Sequence, residues 1–375
     1  MFILRPDNLG DLVIFSGCLK YIRKAYPNAQ ITICVKKYAV NLLEHCPYID
    51  EIVIWEHVQK TMFDDLPEFK GRWRLMSLIK YFRIFKLTLF KPEYDLFLLP
   101  LRSPTIEMHQ FAKFIRSKRK VFVDDRARKT LVGDQQLQKL YTHLHVVEET
   151  REFDHELNIY RDFLRSLGID KSEKELHPEI FTTANDREWA NKHLHSSGQS
   201  ISLAICPGVT SKPEKFYAAA NYRKALSQFQ EITFSVYILG SKGEMEQCKQ
   251  VERALSDCKQ VASIQNIAGE TTIRQLAECI RLCDITISNE TGALHIATAL
   301  NKPTIGILGG GHFGRFYPWG DPEINLTAHL PMDCYFCNWN CIYPTMKCIH
   351  DMEPEVISNK LSQLLETLGK QNAHV

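Results

Sequence analysis

The stretch ITISNETGALHIATALNKPTIGIL, residues 285–308, decides the fold class. An apolar run at 285–288 is followed by a turn, by a helical pattern over 291–300 and by a second apolar run at 304–308. Short apolar runs that alternate with helical patterns are typical of a parallel sheet covered by helices. The stretch therefore predicts one strand–helix–strand unit of an α/β fold.

The same alternation continues on both sides of this unit. In the C-terminal half, further apolar runs lie at 201–206, 233–239 and, more weakly, 261–264. In the N-terminal half, short apolar runs lie at 2–4, 30–35, 52–55, 96–100 and 121–123. A turn at 6–10 and a helical pattern from Asp11 follow the first run, as in a Rossmann-like βα unit.

The chain of 375 residues is long enough for two such domains. We predict an α/β protein with two Rossmann-like, doubly wound domains, and we take the polar stretch 182–200 as the junction. The predicted boundaries are 1–185 for the N-terminal domain, 186–352 for the C-terminal domain, and 353–375 for a C-terminal helix and tail. Two such domains would bind ligands in a cleft at the carboxyl ends of their strands.

Charge is balanced overall but unevenly distributed. The net charge of +2 argues against a nucleic-acid binder, yet residues 66–130 contain 16 Lys and Arg against 6 Asp and Glu. Basic and aromatic residues interleave at 72–86, and a second basic run lies at 116–120. This pattern favours contact with an anionic acceptor or a membrane surface, and the alternative is a solvated helix face.

No apolar segment approaches the length of a membrane-spanning helix, and the N-terminus meets Arg5 too early for the core of a signal peptide. We therefore expect a cytoplasmic protein, and in that compartment its cysteines should be thiols or metal ligands.

Three turns between strands and helices carry candidate functional residues. Asp11 follows the first strand and is either a general base or the N-cap of the next helix. The loop at 206–215 offers small and hydroxylated residues and Lys215 to a phosphate, or is an ordinary solvated loop. Thr291 and Gly292 can present amides at a helix start, with His295 one turn below.

A glycine run at 309–311 follows the last strand of the decisive stretch. Three successive glycines indicate a backbone that turns tightly or lies close to a ligand. The chain contains no Asp-x-Asp triplet, so we do not expect a metal held by that motif at a donor phosphate.

Taken together, these motifs resemble glycosyltransferase family 9, the heptosyltransferases of lipopolysaccharide core assembly. Each resembles a family motif, in the family's order along the chain. They are the R-x-x-x-x-G-D turn ending at Asp11, Pro27-Asn28-Ala29, Pro47-Tyr48-Ile49-Asp50, Lys215-Phe216-Tyr217 with Tyr222, Asn289-Glu290-Thr291-Gly292 with His295 and Ala297, and Pro303 through Gly309. Two motifs depart from the family pattern: Tyr217-Ala218 replaces Trp-Pro in one, and Glu290 replaces Asp in the other.

The resemblance implies the GT-B architecture and an inverting transfer, without a required metal, from a nucleoside-diphosphate sugar that is typically ADP-heptose. It makes Asp11 the candidate base for the acceptor hydroxyl, with Glu290 as the alternative. Six further residues become ligands of the donor nucleotide and its phosphates: Thr210, Ser211, Lys215, Thr291, Gly292 and His295. Because the residue at position 290 normally touches the sugar, the longer Glu290 leaves the sugar's identity open.

The cysteines form two groups. Of the 12 in the chain, eight are scattered through strand-like and helical stretches and are predicted to be small buried residues. Cys334, Cys337, Cys341 and Cys348 cluster at spacings that suit a structural zinc or iron site, and the alternative is a thiol-rich loop without metal.

The leading hypothesis is a glycosyltransferase that moves a heptose or a related sugar from ADP-heptose to an anionic, lipid-linked core saccharide of lipopolysaccharide or lipooligosaccharide. It would work in the cytoplasm, with peripheral contact to the inner membrane. The alternatives are an autotransporter-type protein O-heptosyltransferase with a Cys-bound metal and a non-catalytic nucleotide-sugar-binding protein.

Overall fold

The computed structural model describes residues 1–62, 93–127, 133–169, 176–194, 200–209 and 212–372. Within these ranges, the chain forms two six-stranded sheets that are parallel throughout. The basic and aromatic segment at 72–86, and with it the predicted interfacial helix, lies outside the described residues, as do Thr210 and Ser211.

The first sheet has the strand order β3-β2-β1-β4-β5-β6, which is the Rossmann order. Its strands are β1 (Phe2–Leu4), β2 (Thr32–Val35), β3 (Glu51–Ile54), β4 (Tyr94–Leu99), β5 (Ser117–Asp125) and β6 (His143–Val147). The helices of this half of the chain are α1 (Leu9–Ala25), α2 (Val40–Leu43), α3 (Trp55–Met62), α4 (Ile106–Phe114), α5 (Asp134–Leu140) and α6 (Glu156–Ser166). In the centre of the sheet, Ile3 lies opposite Ile33 of β2 and Leu98 of β4.

The second sheet repeats this order, read from its other edge, as β12-β11-β10-β7-β8-β9. Its strands are β7 (Ile201–Cys206), β8 (Phe234–Ile238), β9 (Val261–Asn266), β10 (Ile285–Asn289), β11 (Thr304–Ile307) and β12 (Asn325–Ala328). The helices of this half are α7 (Ala184–His193), α8 (Ala219–Leu226), α9 (Met245–Leu255), α10 (Ile273–Leu282), α11 (Gly292–Ala299), α12 (Lys347–His350) and α13 (Pro354–Asn372). The predicted parallel, doubly wound sheets are therefore confirmed.

The chain separates into two compact units. The first contains 1–8, 17–40 and 46–176, and the second contains 9–16, 41–45 and 177–375. The first two turns of α1 therefore belong to the second unit. Helix α7 occupies most of the polar stretch at 182–200, and its Thr183 N-cap and Asp186 form a capping box.

Each unit has its own apolar core. In the second unit, β-branched and aliphatic side chains of the central strands, such as Ile205, Ile287 and Ile305, pack with Leu361 and Leu364 of α13. In the first unit, Phe2, Phe97 and Phe111 form an aromatic cluster, with Phe2 and Phe97 stacked at 5.9 Å between ring centroids. The eight scattered cysteines are all buried thiols, as predicted.

The structure differs from the sequence prediction at three elements. Residues 117–120 of the second basic run belong to strand β5 rather than to a helix, and the Lys118 ammonium pairs with Asp95 at 2.6 Å. Strands β6 and β12, each at a sheet edge, were not predicted. Their sequences, HLHVV and NLTA, lack the apolar run by which the other strands are recognised.

Among the helices of the described residues, we find none with both the length and the hydropathy that crossing a membrane requires.

A buried charge cluster closes the carboxyl end of β4. The Arg102 side chain is 4% exposed and donates from Nε to Asp125 at 2.6 Å and from Nη1 to Glu156 at 3.2 Å. Its Nη2 donates to the backbone carbonyls of Arg151 and Glu152. All three charged side chains are buried, so each depends on the others for the interactions that water would otherwise supply.

We expect Arg102→Met to destabilise the protein by about 3–5 kcal/mol, because it leaves two buried carboxylates without their cation. Urea unfolding at neutral pH measures this as a lower midpoint. The matched control is Lys118→Met, which removes a cation from an exposed pair and should leave the midpoint nearly unchanged. Equal shifts in the two variants would contradict the prediction.

Candidate functional site

The carboxyl ends of β7 and β10 meet at the point where the strand order of the second sheet reverses. Open α/β sheets bind ligands at this switch point, because the chain leaves the two strands in opposite directions and opens a crevice. The Asn289 amide, at the end of β10, donates to the carbonyl of Pro207, which follows β7, at 2.6 Å. This buried hydrogen bond holds the two loops together at the crevice.

Lys215 reaches this crevice from the loop after β7. Val209 anchors the loop to α9 by exchanging hydrogen bonds with the Gln247 amide at 2.8 and 3.2 Å. A 3-10 turn at Pro213–Lys215 then carries the lysine, whose Nζ lies 3.5 Å from the centroid of the Trp339 ring. Lys215 and Trp339 line a small concavity with Glu290, and burial there lowers the pKa of Lys215, while the negative charge of Glu290 opposes that shift.

Glu290 presents a carboxyl group to the same concavity. Its Oε2 atom is buried and has no hydrogen-bond partner among the described residues. Burial raises the pKa of Glu290 to about 7; the Lys215 ammonium opposes this rise and the negative charge of Asp11 adds to it. The site therefore holds a carboxyl group that changes protonation near neutral pH, beside a lysine.

The start of α11 contains the other predicted ligands on this side. Thr291 is the N-cap and Gly292 the first helical residue, so the amides at this helix start follow Glu290 directly. The indole N–H of Trp319 donates to Nδ1 of His295 at 3.1 Å. Because an indole can only donate, Nδ1 is an acceptor and the proton of this buried imidazole is on Nε2.

Helix α1 packs its first turn against the start of α11. A Cβ at Gly10 would lie 2.7 Å from Cδ2 of His295, and a Cβ at Gly292 would lie 2.7 Å from Cδ2 of Leu9. Glycine is therefore required at both positions. The packing of the two helix starts also brings Asp11 close enough for its negative charge to raise the pKa of Glu290. The helix begins at Leu9 with Asn8 as the N-cap, so the alternative interpretation of Asp11 as an N-cap is wrong.

The glycine run at 309–311 accommodates aromatic rings of the chain itself. A Cβ at Gly309 would lie 2.9 Å from the Trp339 ring, a Cβ at Gly310 would overlap Tyr335, and a Cβ at Gly311 would overlap Trp339. From the sequence, these glycines indicated a tight turn or a nearby ligand, and their aromatic partners were not predicted. The glycine run itself was the available signal that another group lies close to the backbone.

The metal site predicted at the four clustered cysteines is not supported. Across the described residues, which include all four cysteines, no three His, Cys, Asp or Glu side chains are grouped so that they could hold a metal ion. Two of the four thiols interact with backbone groups: Cys348 accepts from the Gly310 amide and Cys341 donates to the Thr345 carbonyl, each at 3.5 Å.

Six of the predicted site residues thus lie within the second unit: Asp11, Lys215, Glu290, Thr291, Gly292 and His295. The other two, Thr210 and Ser211, lie outside the described residues.

Tyr217, which stands where the family motif has Trp, is fully buried and donates from its hydroxyl to the Met352 carbonyl at 3.1 Å. It is a core residue.

A doubly wound sheet with a lysine and a helix N-terminus at its switch point is typical of proteins that bind the diphosphate of a nucleotide. Comparison with known proteins agrees with this class. The chain belongs to glycosyltransferase family 9 (heptosyltransferase), whose family model matches residues 111–337.

One curated relative and two solved structures are similar to this chain. Lipooligosaccharide heptosyltransferase 2 of Campylobacter jejuni is 28% identical over 179 residues, which are 47% of this chain and 55% of the relative. The chain thus spans about half the length of that relative.

Among solved structures, the family 9 glycosyl transferase of Veillonella parvula has a TM-score of 0.70 at 18% identity, with 97% of both chains covered. The ADP-heptose lps heptosyltransferase II of E. coli has a TM-score of 0.68 at 18% identity, with 98% of both chains covered. These likenesses confirm the GT-B fold class.

The raised pKa of Glu290 predicts a pH-dependent stability. The folded protein binds a proton at Glu290 more tightly than the unfolded chain, so this contribution to stability is complete below pH 4.5 and declines as the pH rises to about 7. Relative to Glu290→Gln, the wild type should lose about 3 kcal/mol of unfolding free energy across that window. Urea unfolding of both proteins at several pH values measures the difference.

Lys215→Met tests the cause of this titration. Without the ammonium that favours the ionised carboxylate, the pKa of Glu290 should rise further and the decline in stability should extend to higher pH. Parallel stability profiles for the wild type and Glu290→Gln would contradict the assignment.

Proposed function

We propose that this protein transfers a heptose, or a closely related sugar, from ADP-heptose to an anionic core saccharide of lipopolysaccharide or lipooligosaccharide. The observation that carries the proposal is the assembly of Asp11, Glu290 and Lys215 around the switch point of the second sheet. The names of the similar proteins, which include heptosyltransferases and an ADP-heptose enzyme, support this choice of donor and acceptor.

The donor diphosphate would lie against Lys215 and the start of α11. The ammonium, the amides that follow Thr291 and the Nε2–H of His295 are all donors, and a diphosphate offers only acceptors. As the bond between the anomeric carbon and the phosphate oxygen breaks, negative charge collects on the departing ADP. Donors already in place stabilise that charge without reorganisation.

Asp11 would act as the general base. The acceptor hydroxyl transfers its proton to the Asp11 carboxylate while its oxygen forms a bond to the anomeric carbon on the face opposite the leaving diphosphate. This single displacement inverts the configuration of the sugar.

Glu290 is less suited to the role of base, because burial raises its pKa to about 7 and keeps it largely protonated below neutral pH. Two neighbouring carboxyl groups held in different protonation states are the usual arrangement for an acid and a base in one site. A protonated Glu290 can donate a hydrogen bond to the sugar, and its extra methylene relative to Asp would then adapt the pocket to this particular sugar.

The direct test supplies the purified protein with ADP-heptose and a heptose-truncated core saccharide and follows ADP release and acceptor mass. We expect transfer that depends on both substrates. A competing polypeptide acceptor in the same assay distinguishes core assembly from protein glycosylation. ADP binding without transfer to either acceptor would indicate a binding protein instead.

Asp11→Asn should lower kcat by about 10²- to 10⁴-fold, because it removes the proton acceptor. It should leave the Kd for ADP nearly unchanged, because in the proposed reaction Asp11 interacts with the acceptor hydroxyl and not with ADP. Steady-state kinetics and calorimetric titration with ADP measure the two quantities.

The matched control is Asn8→Ala, which alters the N-cap of the same helix and should preserve kcat. If Asp11→Asn retains the wild-type rate while Glu290→Gln loses it, then Glu290 is the base.

A further inference from the structure

The cysteine-rich loop lies directly on the glycine run after β11. The amides of Phe336 and Asn338 donate to the carbonyls of Gly310 and Gly311 at 2.7 and 3.1 Å. Phe336, Asn338 and Trp339 all have left-handed backbones, with φ of 66°, 50° and 62°. Such conformations are costly for residues other than glycine and persist only where the surrounding contacts require them. The loop is therefore held in one specific shape, and that shape buries the Trp339 ring.

Trp339 contacts two groups that can bind an anion. Its ring face carries the Lys215 ammonium 3.5 Å from the centroid. Its indole N–H donates to Nδ1 of His312 at 3.2 Å. His312 follows β11, whereas Lys215 follows β7, so one side chain connects the loops at two strand ends.

Each contact has a chemical consequence. A cation over an indole face is attracted by the ring quadrupole, and the attraction is stronger where the cation is partly desolvated, as Lys215 is here. The hydrogen bond to Nδ1 fixes His312 in the tautomer that carries its proton on Nε2, because the indole can only donate. Trp339 thus sets the position of one donor and the tautomer of another.

We propose that Trp339 is a positioning residue for the diphosphate of the donor: its ring holds the Lys215 ammonium at the crevice, and its N–H orients His312 as a second donor. The inference rests on the proposed function, since that function supplies the diphosphate. It assigns to the segment 334–348 a part in anion binding through its tryptophan, independent of any metal.

A double-mutant cycle with ADP as the probe tests this role. We expect Trp339→Leu and Lys215→Met each to weaken ADP binding by about 10- to 30-fold. The double variant should bind ADP about 3- to 10-fold more weakly than Lys215→Met, because only the part of Trp339 that acts through His312 remains to be lost. Calorimetric titration gives the four Kd values, and thermal unfolding checks that each variant is folded.

The Trp339→Phe variant provides a second test, which holds even if Trp339→Leu does not fold. Phenylalanine keeps a ring face but lacks the N–H, so it should lose only about 3- to 10-fold in ADP affinity, the loss expected for one hydrogen bond. The matched control is Ile342→Ala, on the same loop and 74% exposed, which should leave the Kd unchanged.

Two results would overturn the positioning role while leaving the proposed function intact. One is a double variant whose loss of ADP affinity is the product of the two single losses. The other is a Trp339→Phe protein that binds ADP as weakly as Trp339→Leu. A wild-type protein that binds no ADP would overturn both.

Discussion

The candidate site depends on the close contact between the starts of helices α1 and α11. Gly10 lies under the His295 ring, and Gly292 lies under the Leu9 side chain, so neither position has room for a Cβ. A larger residue at Gly10 would have to displace the buried His295 ring, and one at Gly292 would have to displace the Leu9 side chain. The two glycines therefore act as spacers, and the distance they set determines which side chains meet beside them.

The residues next to these glycines include the two carboxyl groups of the proposed mechanism. Asp11 follows Gly10, and Glu290 lies two positions before Gly292, so the helix contact brings the charge of Asp11 close enough to raise the pKa of Glu290. In a buried site this repulsion favours one charged and one neutral carboxyl group. Under the proposed function, the packing of the two helices would thereby separate a base, Asp11, from a hydrogen-bond donor, Glu290.

Much of this arrangement could be predicted from the sequence, because its elements have local signals. The alternation of apolar runs and helical patterns predicts both sheets, and turns between strand and helix identify Asp11, Lys215, Glu290 and His295 as site residues. The role of Trp339 could not be predicted, because it depends on a loop that returns to the glycine run from a distant part of the chain. The glycine run indicates that another group lies close to the backbone, but a sequence does not show whether that group is a ligand or an aromatic ring of the chain.

A comparison of the buried Arg102 with the half-buried Lys215 shows why Lys215 is suited to bind an anion and Arg102 is not. Arg102 donates to two carboxylates and two backbone carbonyls, so its charge is neutralised and its hydrogen-bonding capacity is largely used. Lys215 lies instead against an aromatic ring and a carboxyl group whose pKa is raised to about 7. A ring face attracts a cation without neutralising it, and a protonated carboxyl group adds no opposing charge. Positive potential therefore remains at the crevice, which is the condition for stabilising the negative charge of a departing diphosphate.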